Sequence, residues 1–322
     1  MIRASIICLS AAVLLAFGAN SSHAAFPGKP GPIAYSKTST DEVGEGRVES
    51  EGGLFARGPR IKDRPHQLTA ETGDHSPSYS ADGRLIVFVH DDEASQRSSI
   101  FVMRSDGSER KEVTLGGLGG GSPAFFPSGR AIVFSRSVEG HSHIFSIRLD
   151  GSGLRQLTSG PFGDYDPVVS PNGRRIAFAS NRDPDGRQDR GDIFAMRADG
   201  SRIRILIDGP RRESEPDWSP DGRRIAYVLN RLHSKVFIAN LATGRVKWLT
   251  KCEGIRCRSY VAPAFSPDGR RLAVLGLGTR TSTISVIPLT RDGFSATIDS
   301  GGTEEEGFGS HVGAPAWGPR PR

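Results

Sequence analysis

The feature that most constrains the fold is a thirteen-residue pattern that recurs five times along the chain. Each copy has a proline, a large apolar residue two positions later, a turn rich in Pro, Asp or Asn and Gly, and then an alternating apolar run. The turn glycines are separated by 46, 44, 49 and 47 residues. Such regular self-similarity indicates a repeat architecture. The copies occupy 76–88, 122–134, 166–178, 215–227 and 262–274.

Each repeat predicts four antiparallel strands. The Gly-containing turn between two alternating runs is a hairpin signal. A second alternating run follows, such as IFAM at 193–196, and most repeats then have another turn and a short run such as RQLT at 155–158. Four-stranded units of about 45 residues are too small to bury their own faces, which is typical of propeller blades.

The two ends of the chain predict a sixth blade. The C-terminal APAWGPRPR (314–322) carries the first half of the pattern, and PGPIAYS (30–36) carries only the second half. We therefore expect the C-terminal strand to be innermost and the N-terminal segment to supply the other three. The predicted fold is all-β: a six-bladed β-propeller of four-stranded antiparallel blades, closed by pairing of the N- and C-terminal segments.

These motifs resemble the repeat of TolB-like β-propellers. The string PDWSPDGRRIAY (216–227), an I-F-x-M strand, a D-G-S turn and a Q-L-T strand carry the resemblance, which extends over essentially all of the chain after residue 24. It implies the propeller fold, and similar propellers serve as protein docking platforms, as gating domains of prolyl oligopeptidases and as lyases. About five residues separate Ala24 from the first repeat, so we expect the propeller without the N-terminal domain of TolB.

The first residues are typical of a cleavable secretory signal peptide. Basic Arg3 precedes an apolar stretch over 6–17, and small residues at Ser22 and Ala24 are spaced for signal peptidase. We expect residues 1–24 to be removed, 25–322 to form the propeller, and the product to be secreted or periplasmic. The apolar stretch falls short of the roughly twenty residues that span a bilayer, so no membrane span is expected.

The charge distribution restricts the class of partner, and the cysteines predict a disulfide. The formal net charge of +6 is spread along the chain, which argues against nucleic-acid binding and favours a soluble monomer. Export places Cys252 and Cys257 in an oxidising compartment and predicts a disulfide between them. Because the disulfide would close so short a loop, we expect it to stabilise the folded state by only about 2 kcal/mol.

Residues just before the repeat prolines are the candidate binding site. In a propeller the first strand of each blade lines the central channel, so these residues should converge at one mouth. Their functional interpretation is a site for a divalent cation such as calcium, or for a basic peptide. The alternative is that they point into water or bond the backbone of the next blade. The candidates are His75, Asp164, Asp166, Glu213, Glu215 and His311.

Other motifs are weaker. The loop 181–192 loosely resembles a calcium loop without the bidentate glutamate, and His141 and His143 are more simply surface histidines. The sequence contains no G-x-S-x-G, H-E-x-x-H or P-loop motif, and we assign no catalytic residue. The leading hypothesis is a non-catalytic binding platform for a protein, peptide or cell-envelope component. The alternative is a metal-dependent lyase or hydrolase with its site at the channel mouth.

Overall fold

A computed structural model gives the fold as six antiparallel sheets within the residues that it describes. The predicted six-bladed β-propeller is therefore confirmed. The chain first forms β1 (Pro30–Val43), β2 (Arg47–Arg57) and β3 (His66–Gln67). The described residues are 25–43, 47–58, 63–114, 119–182, 191–209, 212–230, 233–250, 259–278, 282–289 and 311–321.

Five blades follow in chain order, each beginning with its inner strand. Blade 1 contains β4 (Asp74–Tyr79), β5 (Leu85–Asp92), β6 (Arg97–Arg104) and β7 (Lys111–Glu112). Blade 2 contains β8 (Gly121–Phe125), β9 (Ala131–Val138), β10 (His141–Arg148) and β11 (Arg155–Gln156). Blade 3 contains β12 (Asp164–Val169), β13 (Arg175–Ser180), β14 (Asp192–Arg197) and β15 (Arg204–Ile207). Blade 4 contains β16 (Arg212–Trp218), β17 (Arg224–Asn230), β18 (Lys235–Asn240) and β19 (Val246–Trp248). The described part of blade 5 contains β20 (Ser259–Phe265), β21 (Arg271–Leu277) and β22 (Ser282–Pro288).

Blade 6 joins the two ends of the chain, as the sequence predicts. After β23 (His311–Val312), strand β24 (Ala316–Pro319) pairs antiparallel with β1, and Ile33 lies opposite Trp317. The indole Nε1 of Trp317 donates to the carbonyl oxygen of Gly31 at 3.2 Å. The guanidinium of Arg271, from blade 5, lies 4.8 Å from the centre of the indole ring. This one side chain thus contacts both ends of the chain and the neighbouring blade.

The hairpin turn after the inner strand explains the Ser-x-Asp-Gly pattern of blades 1, 4 and 5. In blade 4 the Ser219 hydroxyl donates to Asp221 Oδ1 at 2.6 Å, and the Arg223 amide donates to the same oxygen at 3.0 Å. Gly222 has a φ of 66°, a left-handed conformation that glycine adopts at little steric cost. Side-chain bonds and a permissive glycine therefore set the turn locally.

A buried threonine lies two residues after the outer strand of several blades. In blade 4 the Val236 amide donates to Thr250 Oγ1 at 3.0 Å, so the hydroxyl satisfies a strand amide that would otherwise be buried without a partner. Ile144 and Thr158 make the same contact in blade 2, at 2.9 Å. The Leu-Thr pair of the repeat is therefore a structural motif.

The apolar core lies between blades. One buried cluster joins Val133 of blade 2 to Phe178 and Met196 of blade 3, so each blade buries a face only by packing on its neighbour. Within the described ranges no helix has the length and apolar character needed to cross a bilayer.

The segment before β1 enters the central channel from the end where the inner-strand turns lie. Phe26 is 2% exposed and belongs to the same buried cluster as Phe125, Val168 and Trp218, which come from the inner strands of three blades. The Gly28 amide donates to the carbonyl oxygen of Pro267, in the turn of blade 5, at 3.1 Å. Phe26 therefore packs against the inner wall of the ring.

Replacing Trp317 by alanine should destabilise the whole ring. It removes a side chain that is 3% exposed and joins blades 5 and 6, so we expect a loss of about 3–5 kcal/mol in the free energy of unfolding. Urea denaturation measures it. Leu154→Ala, at a side chain that is 40% exposed, is the control and should change stability little. Equal stability of Trp317→Ala and the unsubstituted protein would show that the terminal pairing does not hold the ring closed.

Candidate functional site

The residue before proline in each of five inner strands has a left-handed backbone. These φ angles lie between 51° and 53°, a region that residues other than glycine rarely adopt. Each coincides with a β-bulge, where the inner strand has one more residue than its partner. The bulge redirects one side chain per blade at the start of the inner strand. The five residues are Ser76, Ser122, Asp166, Glu215 and Ala262.

Side chains at these bulges connect the inner strands of blades 2 to 5. The Ser122 hydroxyl donates to Asp166 Oδ1 at 3.0 Å. The backbone amide of Glu215 also donates to the carboxylate of Asp166. Glu215 Oε2 in turn accepts from the Ala262 amide at 2.5 Å. The carboxylates therefore bond the backbone of the next blade, which is the alternative interpretation that the sequence left open.

Asp166 and Glu215 form an electrostatically coupled pair. Asp166 is 5% exposed, and burial raises its pKa to about 6 although Ser122 and the nearby Arg212 partly offset the effect. Burial and repulsion from Asp166 raise the pKa of Glu215 well above its usual range. Glu215 is partly exposed as a residue, whereas its carboxyl group is desolvated. At neutral pH this pair would be stabilised by a positive charge.

Asp164 lies elsewhere. It is fully buried, and Arg182 bonds its two carboxylate oxygens at 2.6 and 3.2 Å. His143 of blade 2, which is 5% exposed rather than a surface residue, has its Nδ1 4.0 Å from the same carboxylate. Asp164 is therefore part of a buried ion pair within blade 3, with His143 of blade 2 next to it.

Glu213 is also buried, at 2% exposure. It lies close to Tyr227 in its own blade, where burial of the phenol and then the negative charge of Glu213 raise the pKa of Tyr227. The structure therefore brings together two of the four acids predicted at the mouth, Asp166 and Glu215, and buries the other two within the wall. The β-bulge separates Asp166 and Glu215 from the other two acids. It gives the residue before proline a side-chain direction different from the one that regular alternation along the strand would give.

His75 is at the mouth but pairs within blade 1. Its Nε2 lies 2.9 Å from Asp91 Oδ2, its Nδ1 lies 2.9 Å from Ser76 Oγ, and its side chain is 32% exposed. Ser, His and Asp are the residue types of a nucleophilic triad. Ser76 is only 5% exposed, however. Its backbone has the same left-handed φ as the other four bulge residues, so its conformation is a feature of the repeat and not of a catalytic site. Of His311 the structure describes only the backbone, which pairs with Thr38.

One group of described residues has the spacing of a metal site. Ligand atoms of Glu71, Asp74 and His90 lie within 4.8 Å of one another. Arg110 bonds Glu71 at 2.7 Å and Asp74 at 3.4 Å, and its guanidinium lies 4.4 Å from the centre of the Phe101 ring. The protein thus supplies its own cation at this group, as Arg182 does at Asp164.

Two predicted features fall outside the described residues. They are the cysteine pair, Cys252 and Cys257, and residues 183–190, most of the loop that loosely resembles a calcium loop but is more simply a solvated turn. Asp192, at the end of that loop, is 4% exposed and begins β14.

Sequence reasoning missed one buried carboxyl group, that of Asp217. It is 1% exposed in the channel wall, and its Oδ2 accepts from the Phe265 amide of blade 5 at 2.6 Å. Burial raises its pKa well above the usual range. A signal was present, because the other repeats have small or apolar residues at this register. Those residues are Ser78, Ala124, Val168, Ala264 and Ala316.

Glu215→Gln should stabilise the protein at pH 8 but not at pH 4. The pKa of Glu215 is higher in the folded state than in the unfolded state. The free energy of unfolding therefore falls as the pH rises from the unfolded-state pKa through the folded-state pKa. Glutamine removes this loss and can still accept from the Ala262 amide. We expect a gain of about 1 kcal/mol, or about 2–4 °C in Tm, at pH 8.

Thermal melts at the two pH values measure this effect. Glu93→Gln, at an exposed turn, is the matched control and should leave Tm unchanged at both. A gain of the same size at pH 4 and pH 8 would show that ionisation of Glu215 is not its cause.

Comparison with known proteins agrees with the fold. A family model described as the TolB beta propeller domain matches residues 61–188 and 175–307. TolB from Acinetobacter baumannii has a TM-score of 0.68 at 22% identity, over 90% of this chain and 67% of that chain. A putative TolB from Agrobacterium tumefaciens has a TM-score of 0.61 at 19% identity, over 84% of this chain and 88% of that chain.

A more distant neighbour is an oligogalacturonate lyase in complex with manganese. Its TM-score is 0.52 at 12% identity, over 84% of this chain and 73% of that chain. At these identities the solved structures show the fold alone. No curated protein sequence gives a significant match. Because the family matches extend over most of the sequence, this chain belongs to the TolB β-propeller domain family.

Proposed function

We propose that this protein is an exported binding propeller that holds a segment of a partner protein at the channel mouth through a lysine or arginine side chain. Export rests on the signal-peptide pattern over residues 1–24 and places the protein in the periplasm or outside the cell. The resemblance to TolB proteins supports a protein partner in the cell envelope.

The observation that carries the proposal is the carboxyl pair Asp166 and Glu215. Two acids side by side in the channel wall cost folding free energy when both ionise, which a cationic group placed against Glu215 would offset. A side-chain ammonium or guanidinium matches this requirement, and the ring of strands holds the acids in place before the partner arrives.

Exposed side chains at the mouth add contact area. Tyr165, next to Asp166 on β12, is 40% exposed, and His75 is partly exposed on blade 1. Tyrosine offers a large rigid surface with one polar group, a combination that is enriched at protein interfaces. An exposed tyrosine beside a carboxyl pair fits a basic peptide segment better than a sugar acid, whose charge would be repelled.

A lyase at the same mouth has weaker support. The manganese-containing lyase is similar only at the level of the fold, and Glu71, Asp164 and Glu215 already bond Arg110, Arg182 and a backbone amide, respectively. A divalent cation at Glu215 and Asp166 remains a distinguishable outcome of the experiment below.

Site-specific photocrosslinking in the envelope fraction of the source cell tests the proposal. A photoreactive phenylalanine derivative replaces Tyr165 at the mouth and, as a matched control, Val246, which is 51% exposed on an outer strand. We expect a protein adduct from position 165 and none from position 246. Loss of one ion pair through Glu215→Gln should weaken the adduct about tenfold, because a partly desolvated charge pair contributes about 1–3 kcal/mol.

Two results would contradict the proposal. One is an adduct that forms equally at the two positions or is unaffected by Glu215→Gln. The other is a rise in Tm with calcium or manganese that Glu215→Gln abolishes, in the absence of any adduct from position 165, because a metal would then be the ligand of the pair.

A further inference from the structure

Asp217 is the one described acid at its register of the repeat, and nothing in the proposed mouth uses it. Its side chain is 1% exposed between the inner strands of blades 4 and 5. The Phe265 amide donates to Oδ2, whereas Oδ1 receives no hydrogen bond of good geometry from the described residues. A buried carboxylate with an unsatisfied oxygen costs several kcal/mol unless a cation or donor reaches it.

The start of the described chain lies against this carboxyl group. The backbone nitrogen of Ala25 faces it and, like the amides of Phe265 and Trp218, acts to lower the pKa that burial raises. Ala25 is 2% exposed, and the next residue, Phe26, is equally buried in the channel wall. The backbone of Ala25 is therefore held in place by the packing of its neighbour.

Ala25 is also the residue that signal-peptide removal would make the first of the chain. Ser22 and Ala24 have the spacing that signal peptidase requires for cleavage after Ala24. Hydrolysis of the Ala24–Ala25 peptide bond consumes one water and leaves a carboxylate on Ala24 and an ammonium on Ala25. The nitrogen that faces Asp217 would change from a neutral amide with one N–H to a cation with three.

We propose that removal of the signal peptide creates an α-ammonium on Ala25 that binds the buried carboxylate of Asp217 and fixes the mature N-terminus inside the ring. This inference rests on the export included in the proposed function. The pairing supplies the donor that Oδ1 lacks and the charge that a buried carboxylate requires. Before cleavage, neither the charge nor the additional donors exist.

The position of Asp217 links this pairing to the stability of the ring. Its carboxylate already accepts from the Phe265 amide of blade 5, and residues 25–29 lead directly into β1 of blade 6. Further along this segment, the Gly28 amide bonds Pro267 and the Lys29 carbonyl accepts from the Arg320 amide at 2.8 Å. The ammonium would thus connect blade 4 to the blade that closes the ring.

A double-mutant cycle on the exported full chain tests the pairing. One change inserts a glycine between Ala24 and Ala25, so that cleavage after Ala24 leaves an amide on Ala25 and moves the ammonium one residue away. The other is Asp217→Asn, which keeps an acceptor for the Phe265 amide. We expect the insertion to lower Tm by about 10 °C beside Asp217 and by much less beside asparagine.

The reactivity of the α-amine gives a readout that a purely steric effect of the insertion would not change. At pH 7 the folded, unsubstituted protein should be acylated at its N-terminus at least tenfold more slowly than the Asp217→Asn variant. Glu93→Gln is the control and should match the unsubstituted protein. If Asp217→Asn does not fold, the same rate ratio between the glycine-insertion chain and the unsubstituted chain decides.

Two outcomes would overturn the inference, and they are distinguishable. Mass spectrometry that finds a first residue other than Ala25 would contradict the proposed processing, and the pairing with it. With Ala25 confirmed as the first residue, equal effects of the insertion beside Asp217 and beside asparagine would overturn the pairing alone. Neither result depends on whether a partner binds at the mouth.

Discussion

The pairing of β24 with β1 is the contact on which the rest of the ring depends. A single blade exposes an apolar face on each side, and these faces become core only when every blade has two neighbours. The first and last blade segments must therefore meet, and Trp317 joins them through Gly31 while it contacts blade 5 through Arg271. Closure in turn fixes the inner strands at a common distance from the axis, so that Ser122, Asp166 and the amides of neighbouring strands come within hydrogen-bond distance across blades.

The repeat predicted most of the fold because its signals are local. A serine and an Asp or Asn beside a glycine define the inner hairpins of blades 1, 3, 4 and 5 through their own hydrogen bonds, and these contacts need no information from elsewhere in the chain. The blade count followed from the complementary half-repeats at the two ends, which β24 and β1 join. Strand period and turn chemistry therefore sufficed for the architecture.

The candidate site was only partly predictable because it depends on a break in that period. Strand alternation alone would place Asp164 and Asp166 on the same side, whereas the bulge directs Asp166 across to blade 2 and leaves Asp164 bonded to Arg182. Left-handed backbone before a proline is uncommon, so the sequence gives little warning of it. Asp217 was missed for another reason: one of the backbone nitrogens that faces it, that of Ala25, is 192 residues away in sequence and belongs to no repeat.

Strand β16 connects the two ends of the channel. Glu215 lies on the mouth side of this strand and Asp217 on the side reached by the N-terminal segment, with one proline between them. Both carboxyl groups accept hydrogen bonds from backbone amides of β20: Glu215 from Ala262, and Asp217 from Phe265. A cation that neutralises either carboxylate therefore reduces the negative charge between the same two strands, β16 and β20. If the mature N-terminus neutralises Asp217 permanently, the Asp166–Glu215 pair still favours a cation at the mouth end of this strand. The N-terminal pairing would thus hold β16 and β20 together while leaving the mouth acidic for a partner.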